Sequence, residues 1–131
     1  MKIDRFDHFV LTVRDVEATC RFYERALGMT TVTFAGGRKG IAFGNQKINL
    51  HQAGREFEPK AERATPGSAD FCLIAAIPLA AVMQHLASCG VSLIQGPVAK
   101  TGALGAMQSV YFRDPDGNLV EVSNYGEPVP R

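Results

Sequence analysis

The chain has 131 residues, of which 46% are hydrophobic, and this suffices to fill the core of one domain but not of two. Its 14 Lys and Arg side chains against 13 Asp and Glu give a net charge of +1, and the two signs alternate along the chain, which argues against a nucleic-acid binder. The longest apolar run, Phe71 to Met83, is too short to span a bilayer, so we expect a soluble cytoplasmic protein with no membrane partner.

The first half of the chain predicts a strand, a helix and three further strands. Residues 6–13, FDHFVLTV, alternate between two faces, as in a largely buried strand. Asp15 follows as a helix N-cap, apolar residues recur at helical spacing, and Gly28 is typical of the position that ends a helix. Three short strands joined by tight turns are predicted at 29–34, 40–43 and 47–52.

The second half repeats this order after a polar, proline-containing connector at 53–69. Residues 70–75 predict a strand, and a helix follows that begins near Pro78 and ends before Gly90. Asp70 lies 62 residues after His8, and Gly90 lies 62 residues after Gly28, so strand, helix and helix end keep one offset. The sequence therefore predicts an internal duplication of a β-α-β-β-β module.

The end of the second half predicts a short strand, a loop and a hairpin. Val91 to Ile94 are predicted as the strand, and the glycine-rich segment Gln95 to Gln108 as a lid that places Lys100 against an anionic substrate. Asp114-Pro115-Asp116-Gly117 has the residues that a type I turn favours, so strands at 109–113 and 118–125 should form a hairpin.

Five polar residues lie inside otherwise apolar strands and are candidate metal ligands: His8, Asn49, His51, Asp70 and Glu121. His8 and Asp70 are equivalent positions in the first strand of each half, while His51 and Glu121 both lie in the last strand of their half. An ionised Glu121 would be costly if buried without a partner. Either a bound cation or an orientation of the side chain toward solvent would explain a glutamate at this position.

The chain resembles the vicinal-oxygen-chelate superfamily over residues 3–125. The motifs that carry the resemblance are DHFVLTV at 7–13, FYE at 22–24, LGM at 27–29 and VYFRDPDGNLVE at 110–121. This superfamily includes glyoxalase I, fosfomycin-resistance thiol transferases, methylmalonyl-CoA epimerase, extradiol dioxygenases and bleomycin-resistance proteins. Within it, the chain looks most like small glyoxalase-domain virulence proteins.

The resemblance implies an α+β domain over 1–131 in which two β-α-β-β-β modules, at about 3–52 and 70–125, form an incomplete mixed-sheet barrel. It also implies a divalent ion held by His8 and Glu121, by Asn49 or His51 in the fourth strand, and by Asp70 in the fifth. A set of His8, His51 and Glu121 would suit Fe(II), whereas Asp70 would favour Mn, Ni or Mg. Zn is a further possible metal, and the ligand set stays open.

From this resemblance we expect a metal-dependent enzyme of the glyoxalase type that acts on a small oxygen-rich organic molecule. The metal would polarise a substrate oxygen and stabilise an enolate or an alkoxide, with Asp70 or Glu121 as the general base. Tyr111 could donate a hydrogen bond to the substrate. A ring-cleaving dioxygenase and a metal-free protein that sequesters a small molecule are the alternatives, and we expect a homodimer.

Overall fold

The structure is a computed structural model that describes residues 1–126, and the chain forms two compact units, unit 1 over 1–68 and unit 2 from Ala69 onward. Each unit has the order β-α-β-β-β. The elements are β1 (His8–Val13), α1 (Val16–Leu27), β2 (Thr30–Phe34), β3 (Arg38–Phe43), β4 (Gln46–Gln52), β5 (Asp70–Ile74), α2 (Leu79–Ser88), β6 (Gln95–Gly102), β7 (Gly105–Arg113) and β8 (Leu119–Tyr125). The repeated β-α-β-β-β order of elements is as predicted.

Each unit contains one mixed four-stranded sheet, with the strand orders β1-β4-β3-β2 and β5-β8-β7-β6. The first strand of each sheet pairs with the last in parallel, and the other pairs are antiparallel. The fold class is therefore α+β, as predicted, and neither sheet closes into a barrel. Among residues 1–126, neither helix has the length and apolar character needed to cross a bilayer.

Helix α1 begins and ends at the residues that the sequence indicates. The Asp15 carboxylate accepts a hydrogen bond from the Ala18 amide at 3.0 Å, and Gly28 adopts a left-handed conformation with φ of 65°. The helix covers one face of its sheet with buried Cys20, Tyr23 and Ala26. Burial of these apolar side chains contributes to the stability of the unit.

Helix α2 covers the equivalent face of the second sheet. Its buried residues are Leu79, Val82 and Leu86, which recur at helical spacing on one face. The buried residues that alternate along β7 and β8 complete this core: Val110, Phe112, Val120 and Val122. In both units, then, one face of the sheet is filled by the helix, and the opposite face is the one that carries polar side chains.

The predicted turn between β7 and β8 is present. The Gly117 amide donates to the Asp114 carbonyl at 3.0 Å, which is the closing bond of a β-turn. The Asp114 carboxylate also accepts from the amides of Asp116 and Asn118 and from the Asn118 side chain, at 2.9, 3.0 and 2.8 Å. Asn118 in turn accepts from the Ala69 amide at 2.9 Å and thereby anchors the start of β8 beside β5.

Two predictions in the second half are wrong. Val91 to Ile94 form no strand, and the segment predicted as a loop and a lid is instead the pair β6 and β7, so Lys100 lies on a strand. The glycines that suggested a loop permit close packing of this hairpin. A Cβ at Gly102 would lie 2.6 Å from the Tyr125 hydroxyl, and a Cβ at Gly96 would lie 2.5 Å from the Ser109 carbonyl oxygen.

Candidate functional site

The helix-free face of each sheet carries the candidate ligands. In unit 1 this face is formed by alternate residues of β1 and β4, which the strand register brings together: His8, Val10 and Thr12 opposite Lys47, Asn49 and His51. In unit 2 it is formed by alternate residues of β5 and β8: Asp70, Cys72 and Ile74 opposite Leu119, Glu121 and Ser123. The sequence alternation placed these residues correctly on shared faces.

The register also defines which positions of the two units are equivalent. His8 pairs with Lys47, and Asp70 pairs with Leu119. Two residues further along the last strand of each sheet come Asn49 and Glu121. The counterpart of Glu121 is therefore Asn49, whereas His51 corresponds to Ser123.

His8 and Asn49 differ in their surroundings on the helix-free face of unit 1. The exposed His8 ring places Nδ1 2.7 Å from the Asp7 carboxylate, and this hydrogen bond lowers the pKa of Asp7. The Asn49 side-chain oxygen is buried and has no hydrogen-bond partner within residues 1–126. Gly40 lies opposite it, where a Cβ would approach this oxygen to 3.2 Å. A buried acceptor without a partner is a position at which a cation or a donor group would be stabilised.

His51 is only 7% exposed because the connector folds over it. The Phe57 ring packs edge-on against the imidazole with 5.6 Å between ring centroids, and the Arg38 guanidinium lies 4.1 Å from the Phe57 ring centroid. Burial lowers the pKa of His51, and the Arg38 charge lowers it further. The ring is thus neutral at pH 7, and among the described residues its Nδ1 has no hydrogen-bond partner.

Glu121 is held by hydroxyl groups on the helix-free face of unit 2. Ser109 donates to the Glu121 carboxylate at 2.6 Å, and Ser123 contacts the same oxygen at 3.4 Å. The two serine hydroxyls are 2.6 Å apart, and both residues are fully buried. The Cys72 thiol lies 3.3 Å from the Ser123 hydroxyl, which extends the network to β5. A half-buried carboxylate with these donors keeps a fixed orientation.

Tyr111 is the third hydroxyl that binds Glu121. Burial raises the pKa of Tyr111 to about 12, and the hydrogen bond to Glu121 and the negative charge of that carboxylate contribute further. Because the phenol stays protonated at all physiological pH values, it is a permanent hydrogen-bond donor on this face.

A cavity of about 530 Å³ opens on the helix-free face of unit 2. It brings together four predicted site residues, the carboxylates Asp70 and Glu121 with Tyr111 and Lys100. The remaining lining residues are Ile94, Gln95, Arg113 and Leu119. Arg113 lies two residues after Tyr111 on the same strand face, so period-two alternation could have identified it. Gln95 could not be identified, because β6 was predicted as a loop.

The donors that the sequence resemblance implies are divided between the units, with His8, Asn49 and His51 in unit 1 and Asp70 and Glu121 in unit 2. Within the part of the chain that the structure describes, no three His, Cys, Asp or Glu side chains form a metal-binding group. The donor types themselves, which are imidazole, amide oxygen and carboxylate, suit a divalent cation. The partnerless Asn49 oxygen agrees with such a role.

Comparisons with known proteins agree with this architecture. The chain is 56% identical over 125 residues to Virulence protein STM3117 of Salmonella typhimurium, covering 95% of this chain and 87% of that protein. The crystal structure of STM3117 matches with a TM-score of 0.95, over 96% of this chain and all of the other.

Two solved structures at 22% identity share the fold alone. One is a lactoylglutathione lyase from Agrobacterium tumefaciens, with a TM-score of 0.73 over 95% of this chain and 96% of the other. The second is TnmS3, an antibiotic binding protein from Streptomyces, with a TM-score of 0.75 over 96% of this chain and 99% of the other. The same fold therefore occurs in a lyase and in a binding protein.

A family model matches residues 5–122, nearly the whole of the two units. The match includes β1, most of the β7–β8 hairpin and Glu121. The chain belongs to the glyoxalase, bleomycin resistance protein and dioxygenase superfamily.

Proposed function

We propose that the protein is a metal-dependent enzyme of the glyoxalase type that acts on a small oxygen-rich organic molecule. The observation that carries this proposal is the cavity of unit 2, where two carboxylates lie beside a protonated phenol and two cationic side chains. Such a combination can bind substrate oxygens, accept a proton and donate hydrogen bonds in one place.

The ligands that would hold a divalent Fe, Mn, Ni, Zn or Mg ion are His8, Glu121, Asp70 and one residue of β4. For that residue we favour Asn49 over His51, because Asn49 is the counterpart of Glu121 and its oxygen is buried without a partner among the described residues. A neutral His51 in its place would give the two-His, one-carboxylate set that suits Fe(II) and ring cleavage. When bound, the metal would polarise a substrate oxygen as a Lewis acid.

In this proposal Asp70 has two tasks, since its exposed carboxylate contributes to the metal site and also accepts a proton from the substrate. Glu121 is held in place by Ser109 and Tyr111. The phenol of Tyr111 is able to donate to a substrate oxygen, since it is protonated. Lys100 lies 5.6 Å from the Tyr111 ring centroid and contributes positive charge to the same cavity.

Elemental analysis of protein purified anaerobically without chelators tests the metal. We expect close to one divalent ion per chain, with loss of the ion in His8→Ala and Glu121→Ala and an unchanged far-UV circular dichroism spectrum. His85→Ala is the matched control, because His85 is an exposed residue of α2 away from the candidate ligands. Full metal occupancy in both ligand variants would refute the assignment.

A metal-free binding protein is the second candidate function, and the fold shared with antibiotic-binding TnmS3 favours it. The cavity of unit 2 would then hold a small molecule without chemistry. Wild-type protein that contains no divalent ion and still binds a small molecule in this cavity would support this candidate over the enzyme.

We also propose that the protein is a homodimer. Strands β1 and β5 are edge strands of their sheets, and their helix-free faces expose Val10 and Ile74 by 44% and 53%. Exposed strand edges with apolar side chains are surfaces that a second copy can cover. Light scattering should report twice the mass of the chain, and a single-chain mass at all concentrations would contradict the proposal.

A further inference from the structure

Arg113 and Lys100 place two positive charges beside the Tyr111 ring. Arg113 is the last residue of β7 and shares the strand face of Tyr111, two residues away. The Lys100 ammonium on β6 lies 5.6 Å from the Tyr111 ring centroid. Both cations line the cavity that also contains Asp70 and Glu121. The cavity thus offers cationic and anionic groups at the same time.

Both cations are available for a ligand. The Arg113 guanidinium donates one hydrogen bond, to the Gly117 carbonyl at 3.3 Å, which anchors the side chain at the β7–β8 turn and leaves most of its N–H groups unused. Neither Arg113 nor Lys100 forms an ion pair with any carboxylate in residues 1–126. Glu121 in the same cavity is already bound by hydroxyl groups. Neither cation of the cavity is therefore engaged in a direct ion pair within residues 1–126.

The remaining walls of the cavity are partly apolar. Ile94 is 52% exposed and Leu119 is partly exposed, and both side chains line the cavity. These side chains would be covered by a short hydrocarbon group of a ligand. A molecule that matched all of these walls would combine an anionic group, a short apolar body and a further oxygen.

We propose that Arg113, together with Lys100, binds the anionic group of the substrate, and that the substrate is a small organic acid with a short hydrocarbon body. The planar guanidinium matches two oxygens of a carboxylate or a phosphate, and the ammonium adds a point charge. This inference rests on the proposed function, because it assigns the substrate class of the same cavity. Arg113 is thereby a specificity-determining residue rather than a metal ligand or a base.

The test measures binding by NMR titration of the protein as purified, with three probes of similar shape: α-ketoisovalerate, its methyl ester and isobutyl phosphate. We expect at least one of the two anions to bind about tenfold more tightly than the ester. Tighter binding of α-ketoisovalerate identifies a carboxylate, and tighter binding of isobutyl phosphate identifies a phosphate.

Variants separate charge recognition from general damage to the cavity. Arg113→Gln and Lys100→Gln should each weaken binding of the preferred anion about tenfold and leave ester binding unchanged, whereas Arg113→Lys should have an intermediate effect. Arg55→Gln, at an exposed position of unit 1, is the matched control and should bind all probes like wild type. Equal binding of acid and ester, or equal loss of both in Arg113→Gln, would overturn the inference.

Metal content measured on the same samples distinguishes the two proposals. If the wild type contains metal but binds the anions no more tightly than the ester, the proposed function stays intact and the role of Arg113 is refuted. Anion preference that depends on Arg113 in protein without metal would refute the metal-dependent enzyme and support the anion site.

Discussion

The two units share one topology and differ in the chemistry of equivalent positions. His8 in unit 1 corresponds to Asp70 in unit 2, and Asn49 corresponds to Glu121. Both carboxylates therefore lie in unit 2, where they share a cavity, and unit 1 supplies an imidazole and an amide. The repeated topology keeps the positions equivalent, while the residue types at these positions differ in charge and hydrogen-bonding capacity between the two units.

A third pair of equivalent positions shows how the surroundings set the role of a residue. Ser123 is a buried hydroxyl that contacts Ser109 and the Glu121 carboxylate, so it supports a charged group. Its counterpart His51 is covered by Phe57 and has no partner for Nδ1 within the described chain. The helix-free face of unit 1 thus contains unsatisfied acceptors or donors, and that of unit 2 contains a connected network.

The turns before the last strands give the largest expected contrast between the units. Asn118→Ala should lower the free energy of unfolding by about 3 kcal/mol, because it removes a hydrogen bond to a buried carboxylate and leaves the Ala69 amide without its acceptor. The corresponding turn in unit 1 contains the exposed Asn45, and Asn45→Ala should change stability by less than about 0.5 kcal/mol. Urea denaturation of both variants measures this contrast. Equal losses of stability in the two variants would contradict the prediction.

Ser109→Ala tests the network of unit 2 and should lower the free energy of unfolding by about 1.5 kcal/mol, since Glu121 loses its hydroxyl donor at 2.6 Å and Ser123 loses a partner. Thr12→Ala, on the helix-free face of unit 1, also removes a hydroxyl group and is the control. It should lower the free energy of unfolding by less than Ser109→Ala does. A loss of stability confined to Thr12→Ala would contradict the assignment of the network to unit 2.

Tyr111 should make stability depend on alkaline pH. Its folded-state pKa of about 12 lies above the unfolded value of about 10, so its contribution is fully present below pH 10 and is lost as the pH rises from 10 to 12. Tyr111→Phe should lack this component of the decline. Tyrosinate absorbance, recorded as wild type minus Tyr111→Phe, should titrate near pH 12 when folded and near pH 10 in denaturant, and coincident titrations would contradict the prediction.

His51 should give the smallest effect, at acidic pH. Because burial lowers its folded-state pKa, its contribution is present above the unfolded value of about 6.5 and is lost as the pH falls below it. His51→Gln should therefore show a weaker loss of stability between pH 7 and pH 5 than wild type, measured by urea denaturation. His85→Gln is the control and should retain the wild-type decline, and an unchanged decline in His51→Gln would refute the prediction.

Features that depend on neighbours along the chain were predictable. Asp15 and Gly28 mark the ends of α1, and the turn at 114–117 closes with the expected hydrogen bond, because each involves residues at most five apart. Period-two alternation placed Asn49 and His51 on one face of β4, because residues two apart along a strand share a face. The resemblance to the superfamily, carried by continuous motifs, was likewise confirmed.

Only the tertiary structure decided the features that depend on distant pairing. The glycine-rich segment at 95–102 has no strand pattern of its own and becomes β6 because β7 supplies its hydrogen-bond partners. The equivalence of Asn49 with Glu121 follows from pairing with β1 and β5, which spacing along the chain could not define. The packing of Phe57 over His51 likewise depends on tertiary structure. Backbone pairing and side-chain packing between separate segments are set by the folded sheet and not by local sequence.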